Sequence, residues 1–192
     1  MNRDKFFGLI LNKSEKELRE IIIAYWFSKN VHRVQSRDTG ERYFEHPRRA
    51  ALTLLRMGFD STEEIITGLL HDALEDTFAP KEVYPALFGG KIYKNLQTLS
   101  KSLPVFDGKT GKLIKRRKKD IGKYYAGILN GSPAVRRVKC ADRIDNLKSF
   151  GVWPTERKAK YVKETIEFIL PIARRTDQRL VKAINRLIKP LA

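Results

Sequence analysis

GLLHDALEDT, residues 68–77, ends an apolar run with one histidine and three acids. Upstream, Ser61 and Glu64 have the spacing of a capping box, and Ile65, Ile66, Leu69, Leu70, Ala73 and Leu74 share one stripe at helical spacing. His71, Asp72, Glu75 and Asp76 then fall in one sector opposite that stripe, with Gly68 one turn earlier. Acids near the C-terminal end of a helix meet a macrodipole that is already negative there. Water can satisfy such a cluster as an ordinary polar face, or a cation can; spacing alone leaves both readings open.

Outward from this stretch the chain reads as helical throughout, with no sustained alternation of apolar and polar residues. One helix starts at Ser14, with Glu17 completing its capping box, and runs through LREIIIAYWFSK. Another opens at Pro47 and stops at Gly58. Further helices are expected over PKEVYPALF, KIYKNLQTLSK, SPAVRRVKCADRIDNLKSF, TERKAKYVKETIEFILPIARR and DQRLVKAINRLIK. Between them, LPVFDGKTGKLIKRRKKD combines glycines with a dense basic run and reads as a mobile loop. The expected fold class is all-α, in one domain covering residues 1–192.

The chain carries 39 Lys and Arg against 22 Asp and Glu, a formal net charge of +17, so its far field attracts polyanions such as nucleic acid or phosphorylated metabolites. Its single cysteine, Cys140, excludes an internal disulfide and reads as core packing in a reducing compartment. No run reaches the roughly 20 apolar residues of a membrane span. The expectation is a cytoplasmic protein with no membrane partner.

Two further positions join the acid cluster. Asp142 follows Val138 by four residues and Val135 by seven, so its helix face begins apolar, and a carboxylate there needs a cation or hydrogen bonds. Asn146 lies one turn beyond it. His46 precedes Pro47, which biases it toward extended backbone at a helix mouth. Together His46, His71, Asp72 and Asp142 offer two imidazoles and two carboxylates, a set suited to Mn²⁺, Fe²⁺, Co²⁺ or Zn²⁺ with positions left for water. Glu75 and Asp76, one turn past His71 and Asp72, then stand where a general base is needed, and a one-metal hydrolase with two working carboxylates follows.

The order YFEHP, LLHDALEDT, VKCADRIDNL resembles the HD-domain hydrolases of the RelA/SpoT type, especially the single-domain small alarmone hydrolases. HRVQSRDTGERY, RKAKYVKET and ETIEFILPIARR extend the likeness over residues 24–179. The resemblance implies an HD-domain helical bundle with its core at about residues 24–180. It also implies Mn²⁺-dependent removal of the 3′-pyrophosphate from guanosine 3′,5′-polyphosphates, with one ion per chain. On this likeness His46, His71, Asp72 and Asp142 hold the metal, and Glu75 and Asp76 are catalytic. Arg37, Thr39 and Asn146 meet the nucleoside, Arg37 by stacking its guanidinium on the base, while Arg157 and Tyr161 line the phosphate side. No sequence remains after the last helix for a synthetase domain, so hydrolysis alone is expected.

Two departures qualify the substrate. Asp38 stands where such proteins usually place lysine or arginine, and Asp145 where they often place histidine or tyrosine. An adenine alarmone, a deoxynucleotide or NADPH is therefore the alternative substrate. A non-catalytic RNA-binding module is the alternative class, although no aromatic-rich binding strand or finger motif accompanies the charge. The basic run Lys112–Lys119 reads either as a solvated stretch or as a lid over the phosphates.

Overall fold

The structure is a computed structural model that describes residues 2–107, 110 and 113–189. In chain order its elements are α1 (Asn2–Gly8), α2 (Glu15–Val31), α3 (Glu45–Arg56), α4 (Thr62–Leu70), α5 (Ala73–Asp76) and α6 (Val83–Leu99). These are followed by β1 (Ser102–Phe106), β2 (Leu113–Lys118), α7 (Ile121–Leu129), α8 (Pro133–Ser149), α9 (Thr155–Glu164), α10 (Leu170–Arg174) and α11 (Gln178–Ile188). The chain is mostly helical, as expected from its periodicity. Both capping boxes form, Ser14 with Glu17 and Ser61 with Glu64.

Three local expectations are corrected. The stretch read as a loop forms an antiparallel hairpin, β1 paired with β2 from Ser102 opposite Lys118 to Phe106 opposite Leu113, with an irregularity at Val105/Phe106. Lys112, the first residue of the basic run, lies outside the described residues. The helix through GLLHDALEDT is broken: α4 stops at Leu70, and His71 and Asp72 form a turn before α5. The two helices expected over PKEVYPALF and KIYKNLQTLSK join as α6 across a kink at Gly89, whose φ of 80° suits a residue without Cβ.

The core has two clusters that meet at α3. Ala50 and Leu54 face the cluster built on α7, α8, α10 and α11, whereas Ala51 and Leu55 face the one built on α1, α2, α4 and α6. Gly68 makes the α3–α4 approach close, since a Cβ there would lie 3.1 Å from Leu54 Cδ1 and 3.4 Å from Ala51 Cα. Cys140 is fully buried in the first cluster, consistent with a packing role. The seam between the clusters is where α3, the α4–α5 turn and α8 bring their polar residues together. Among the described residues no helix is long and apolar enough to cross a membrane.

Candidate metal centre and polyanion pocket

His46 lies in the first turn of α3, and its Nδ1 donates to Asp145 Oδ2 on α8 at 2.7 Å. His71 ends α4, and its Nδ1 donates to Gly68 O at 2.9 Å. A carboxylate and a carbonyl can only accept, so both imidazoles carry the proton on Nδ1. Their Nε2 lone pairs then face each other at 3.2 Å, an arrangement that repels unless a cation or a proton lies between them. Burial disfavours charge on His46, but hydrogen bonds to Asp142 and Asp145 outweigh it and raise its pKa to about 9.

Two carboxylates complete the set. Asp72 Oδ2 stands 3.5 Å from His46 Nε2 and 3.3 Å from His71 Nε2; Asp142 Oδ1 stands at 3.3 and 3.8 Å from the same atoms. Ligand atoms held about 2.1 Å from a common centre at tetrahedral to octahedral angles stand roughly 3.0–3.5 Å apart, so this spacing fits one ion. The ligand atoms of His46, His71 and Asp142 lie within 4.8 Å of one another, and all three residues are buried. Burial opposes the charge of Asp142, yet Lys139 Nζ donates to its Oδ2 at 2.7 Å and holds it ionised, well below the usual carboxylate range. The donor chemistry, the spacing and the facing lone pairs all fit a divalent cation.

The remaining acids sit beside this centre. Glu75 accepts from the Lys101 backbone N–H at 2.7 Å and from Ser102 Oγ at 3.2 Å, so the base of the hairpin fixes its carboxylate. Tyr43 Oη lies 2.8 Å from both Asp72 Oδ2 and Asp76 Oδ2. A phenol has one proton to give, so a protonated Asp76 donating to Tyr43, which donates to Asp72, satisfies all three. Burial and the neighbouring Asp72 push Asp76 up to about 6, in keeping with that arrangement.

These groups line a cavity of about 360 Å³ together with the cations Arg37, Lys101, Lys139, Arg143 and Arg157 and the aromatics Tyr124, Trp153 and Tyr161. Arg143, buried beneath it, stacks on Tyr161 at 3.8 Å and pairs with Glu164, while Arg157 stacks on Trp153 at 3.9 Å. Arg157 also donates to Asp38 at 2.8 Å, joining α9 to the 36–42 turn across the cavity mouth. Arg37 donates to Asn146 Oδ1 at 2.6 Å, and Asn146 Nδ2 donates to Asp142 Oδ1 at 2.5 Å.

Of the residues singled out from sequence, His46, His71, Asp72, Glu75, Asp76, Asp142, Arg37, Asn146, Arg157 and Tyr161 all line this cavity. Thr39 does not: it is exposed at the tip of the 36–42 turn, outside the lining, because the turn aims Arg37 and Asp38 inward instead. Arg37 is bonded to Asn146 rather than free to stack. Sequence reasoning missed Tyr43, Lys139 and the role of Asp145. Lys139 had a signal, since it precedes Asp142 by three residues on a helix; the other two act across elements far apart in sequence.

An HD domain model matches residues 24–178. The chain is 37% identical over 168 residues to a guanosine-3′,5′-bis(diphosphate) 3′-pyrophosphohydrolase of Aquifex aeolicus, covering 86% of this chain and 23% of that protein. It is 34% identical to a protein of the same name from Spiroplasma citri, over 88% of this chain and 22% of the relative. A GTP pyrophosphokinase of Myxococcus xanthus is 32% identical over 83% of this chain and 21% of its own length. The chain thus spans about a quarter of the length of the curated relatives it matches. A solved structure described as a metazoan ortholog of SpoT that hydrolyzes ppGpp superposes with a TM-score of 0.73, at 19% identity over 90% of this chain and 96% of that one, so the two share a fold.

Proposed function

Because the chain belongs to the HD domain family, we propose that it is a metal-dependent hydrolase of guanosine 3′,5′-bis(diphosphate) and its pentaphosphate. It removes the 3′-pyrophosphate and leaves GDP or GTP. The observation that carries this reading is the convergence of His46 Nε2, His71 Nε2, Asp72 Oδ2 and Asp142 Oδ1 in a cavity that is also lined by Arg37, Lys101, Arg143 and Arg157. The names of the Aquifex and Spiroplasma relatives support the substrate class. We read the hydrolase as a single domain with its core at residues 24–180, acting in the cytoplasm.

His46, His71, Asp72 and Asp142 would hold one divalent ion, with Mn²⁺ as our assignment. Bound there, it supplies a Lewis-acidic charge that polarises a phosphoryl oxygen and acidifies water. Glu75, held in place by the hairpin base, orients the attacking water and takes its proton. Attack at the 3′-linked phosphorus breaks its bond to the ribose 3′-oxygen. Asp76, part-protonated near neutral pH, delivers a proton to that oxygen through its position beside Tyr43. Arg157 meets the departing diphosphate with paired donors, and Tyr161 shapes the wall beside it. Arg37, Thr39 and Asn146 serve the nucleoside, Arg37 and Asn146 from inside the cavity and Thr39 from the rim of the turn.

Pyrophosphate release from guanosine tetraphosphate, with and without added Mn²⁺, tests the reading. His71→Ala is expected to lose both metal and turnover. Full activity in a metal-free Asp142→Ala variant refutes the mechanism. The same chemistry on an adenine alarmone, a deoxynucleotide or NADPH is favoured by one feature, the Asp38 carboxylate at the mouth. A tenfold higher kcat/KM for any of these replaces the guanosine assignment.

A further inference from the structure

A second concavity, of about 750 Å³, lies on the other side of the hairpin base, formed by the C-terminal half of α6, the end of β2 and the first turns of α7. Lys94, Arg117, Lys118, Lys119 and Lys123 line it, against the single carboxylate Asp120. Asp120 is committed elsewhere, since its Oδ1 accepts the Lys123 backbone N–H at 2.9 Å as the N-cap of α7. Among the described residues none of the five cations makes an ion pair, although the chain pairs many of its other basic residues. Lys119 Nζ, 5.8 Å from the Tyr124 ring centroid, has one hydrogen-bond partner, Gln97 O at 2.6 Å, which leaves two of its three donors.

A solvated basic run would scatter its charges over both faces of an isolated strand. Here residues from three elements line one hollow, Lys119 partly buried and Lys94, Arg117, Lys118 and Lys123 exposed, and like charges so gathered repel unless an anion joins them. Burial moreover pulls Lys119 below the ordinary lysine range, with only Glu75 pulling the other way. An anion beside it would relieve that penalty.

The shape of the hollow selects among anions. Its one aromatic, Tyr124, is 2% exposed, and its hydroxyl is spent on Leu99 O at 2.7 Å, so the wall has no ring face on which a nucleobase can stack. Single-stranded nucleic acid is ordinarily held by such faces together with a long cationic groove. What remains is recognition of phosphate by converging ammonium and guanidinium groups.

We propose that this hollow is a second anion site that binds a compact polyphosphate chain, two or three linked phosphates recognised by their charge alone. It is separated from the catalytic cavity by Tyr124, which lines both. It also abuts the pair that holds the hairpin base, where Lys119 N donates to Lys101 O at 2.8 Å while Lys101 N donates to Glu75. Lys119 and Glu75 are thus two links apart.

The test is calorimetric titration of inorganic tripolyphosphate into the full chain in metal-free buffer at fixed ionic strength. Lys94→Glu/Lys123→Glu is expected to weaken binding at least tenfold, with Lys94→Gln/Lys123→Gln intermediate and melting temperatures of both close to the parent. Arg157→Ala, which alters the catalytic cavity, is expected to leave that affinity within twofold. GTP is expected to bind the second site within threefold of tripolyphosphate, since only phosphates are read. Unchanged affinity in the double glutamate variant, or loss in Arg157→Ala instead, overturns the proposal. So does a tenfold preference for GTP, or for a single-stranded RNA oligonucleotide. The readout is binding, so a failed hydrolysis assay refutes the proposed function without touching this site, and the converse also holds.

Discussion

Asp145→Asn isolates how much the metal centre owes to one buried carboxylate that is not itself a ligand. Asp145 is 3% exposed; its Oδ2 accepts from His46 Nδ1 at 2.7 Å and its Oδ1 from Arg49 Nε at 2.7 Å. The asparagine amide keeps one acceptor oxygen and turns an N–H₂ toward the other partner, so either His46 or Arg49 faces a donor with a donor. If His46 loses its acceptor, the proton fixed on Nδ1 is free to move to Nε2, the atom proposed to bind the metal. Loss of a group that orients a ligating histidine ordinarily costs 10- to 100-fold in metal affinity, about 1.4–2.7 kcal/mol. The unpaired buried donor costs the metal-free fold a further 1–3 kcal/mol or so, roughly 2–10 °C in melting temperature for a chain of this size. Mn²⁺ titration followed by the electron paramagnetic resonance signal of the free ion reads the first effect, and melting in chelator reads the second. A dissociation constant within threefold of the parent, with His46 still required for binding, would show that Asp145 does not orient it.

Glu75→Gln keeps the size and the hairpin tether but removes the proposed base; kcat is expected to fall by about 10²–10⁴ with metal content unchanged, and parallel loss of metal would assign Glu75 to coordination instead. Arg157→Ala removes a charged hydrogen bond worth about 1.5–3 kcal/mol, so kcat/KM for the tetraphosphate should fall roughly 10- to 100-fold; kinetics within twofold of the parent would remove Arg157 from the phosphate site. Asp38→Asn should act in the opposite direction, because Asp38 competes with substrate for Arg157: an exposed pair is worth about 0.2–1 kcal/mol, which predicts a KM lower by up to roughly fivefold at constant kcat, and a raised KM refutes the competition. Glu164 contributes to the acid stability: burial opposes its charge, but Tyr125 and Arg143 donate to it and hold its pKa at about 2 against an ordinary 4.5. A depressed carboxylate stabilises the fold fully above its unfolded pKa and loses that contribution as pH falls from about 4.5 toward 2, so Glu164→Gln should flatten urea stability in that window by about 1–2 kcal/mol after allowance for solvent screening. An unchanged pH slope would show that the pair contributes nothing.

What could be read from sequence divides along a physical line. Residues whose placement follows from helical periodicity were legible: His46, His71 and Asp142 sit on or at the ends of α3, α4 and α8, helices whose apolar stripes dictate which face meets the core. The turn at His71 was not, because the stripe continues unbroken through Ala73 and Leu74, whereas what marks the turn is a local side-chain bond from His71 to Gly68 O. The hairpin was hidden for a related reason. Lys115, Arg117 and Lys118 are exposed and Ile114 is 60% exposed, so β2 buries no alternating face and leaves no period-two signal. Thr39 falls outside the cavity lining because a tight turn inverts which neighbours point inward, and spacing carries no information about that. Asp145, Tyr43 and Arg143 belong to the class that spacing cannot reach at all: each acts by pairing with a group from another element. The same division explains how a chain of +17 builds a site around carboxylates. Asp72, Asp142 and Asp145 are opposed in turn by the donors Tyr43, Lys139 and Arg49, and Asp76 by its own proton, so the local balance at the centre is set by these groups. The cations around the catalytic cavity are matched by side chains in the same way, Arg157 by Asp38 and Arg143 by Glu164, so the surplus collects where no acid answers it, as in the hollow behind the hairpin, whose five cations make no ion pair among the described residues.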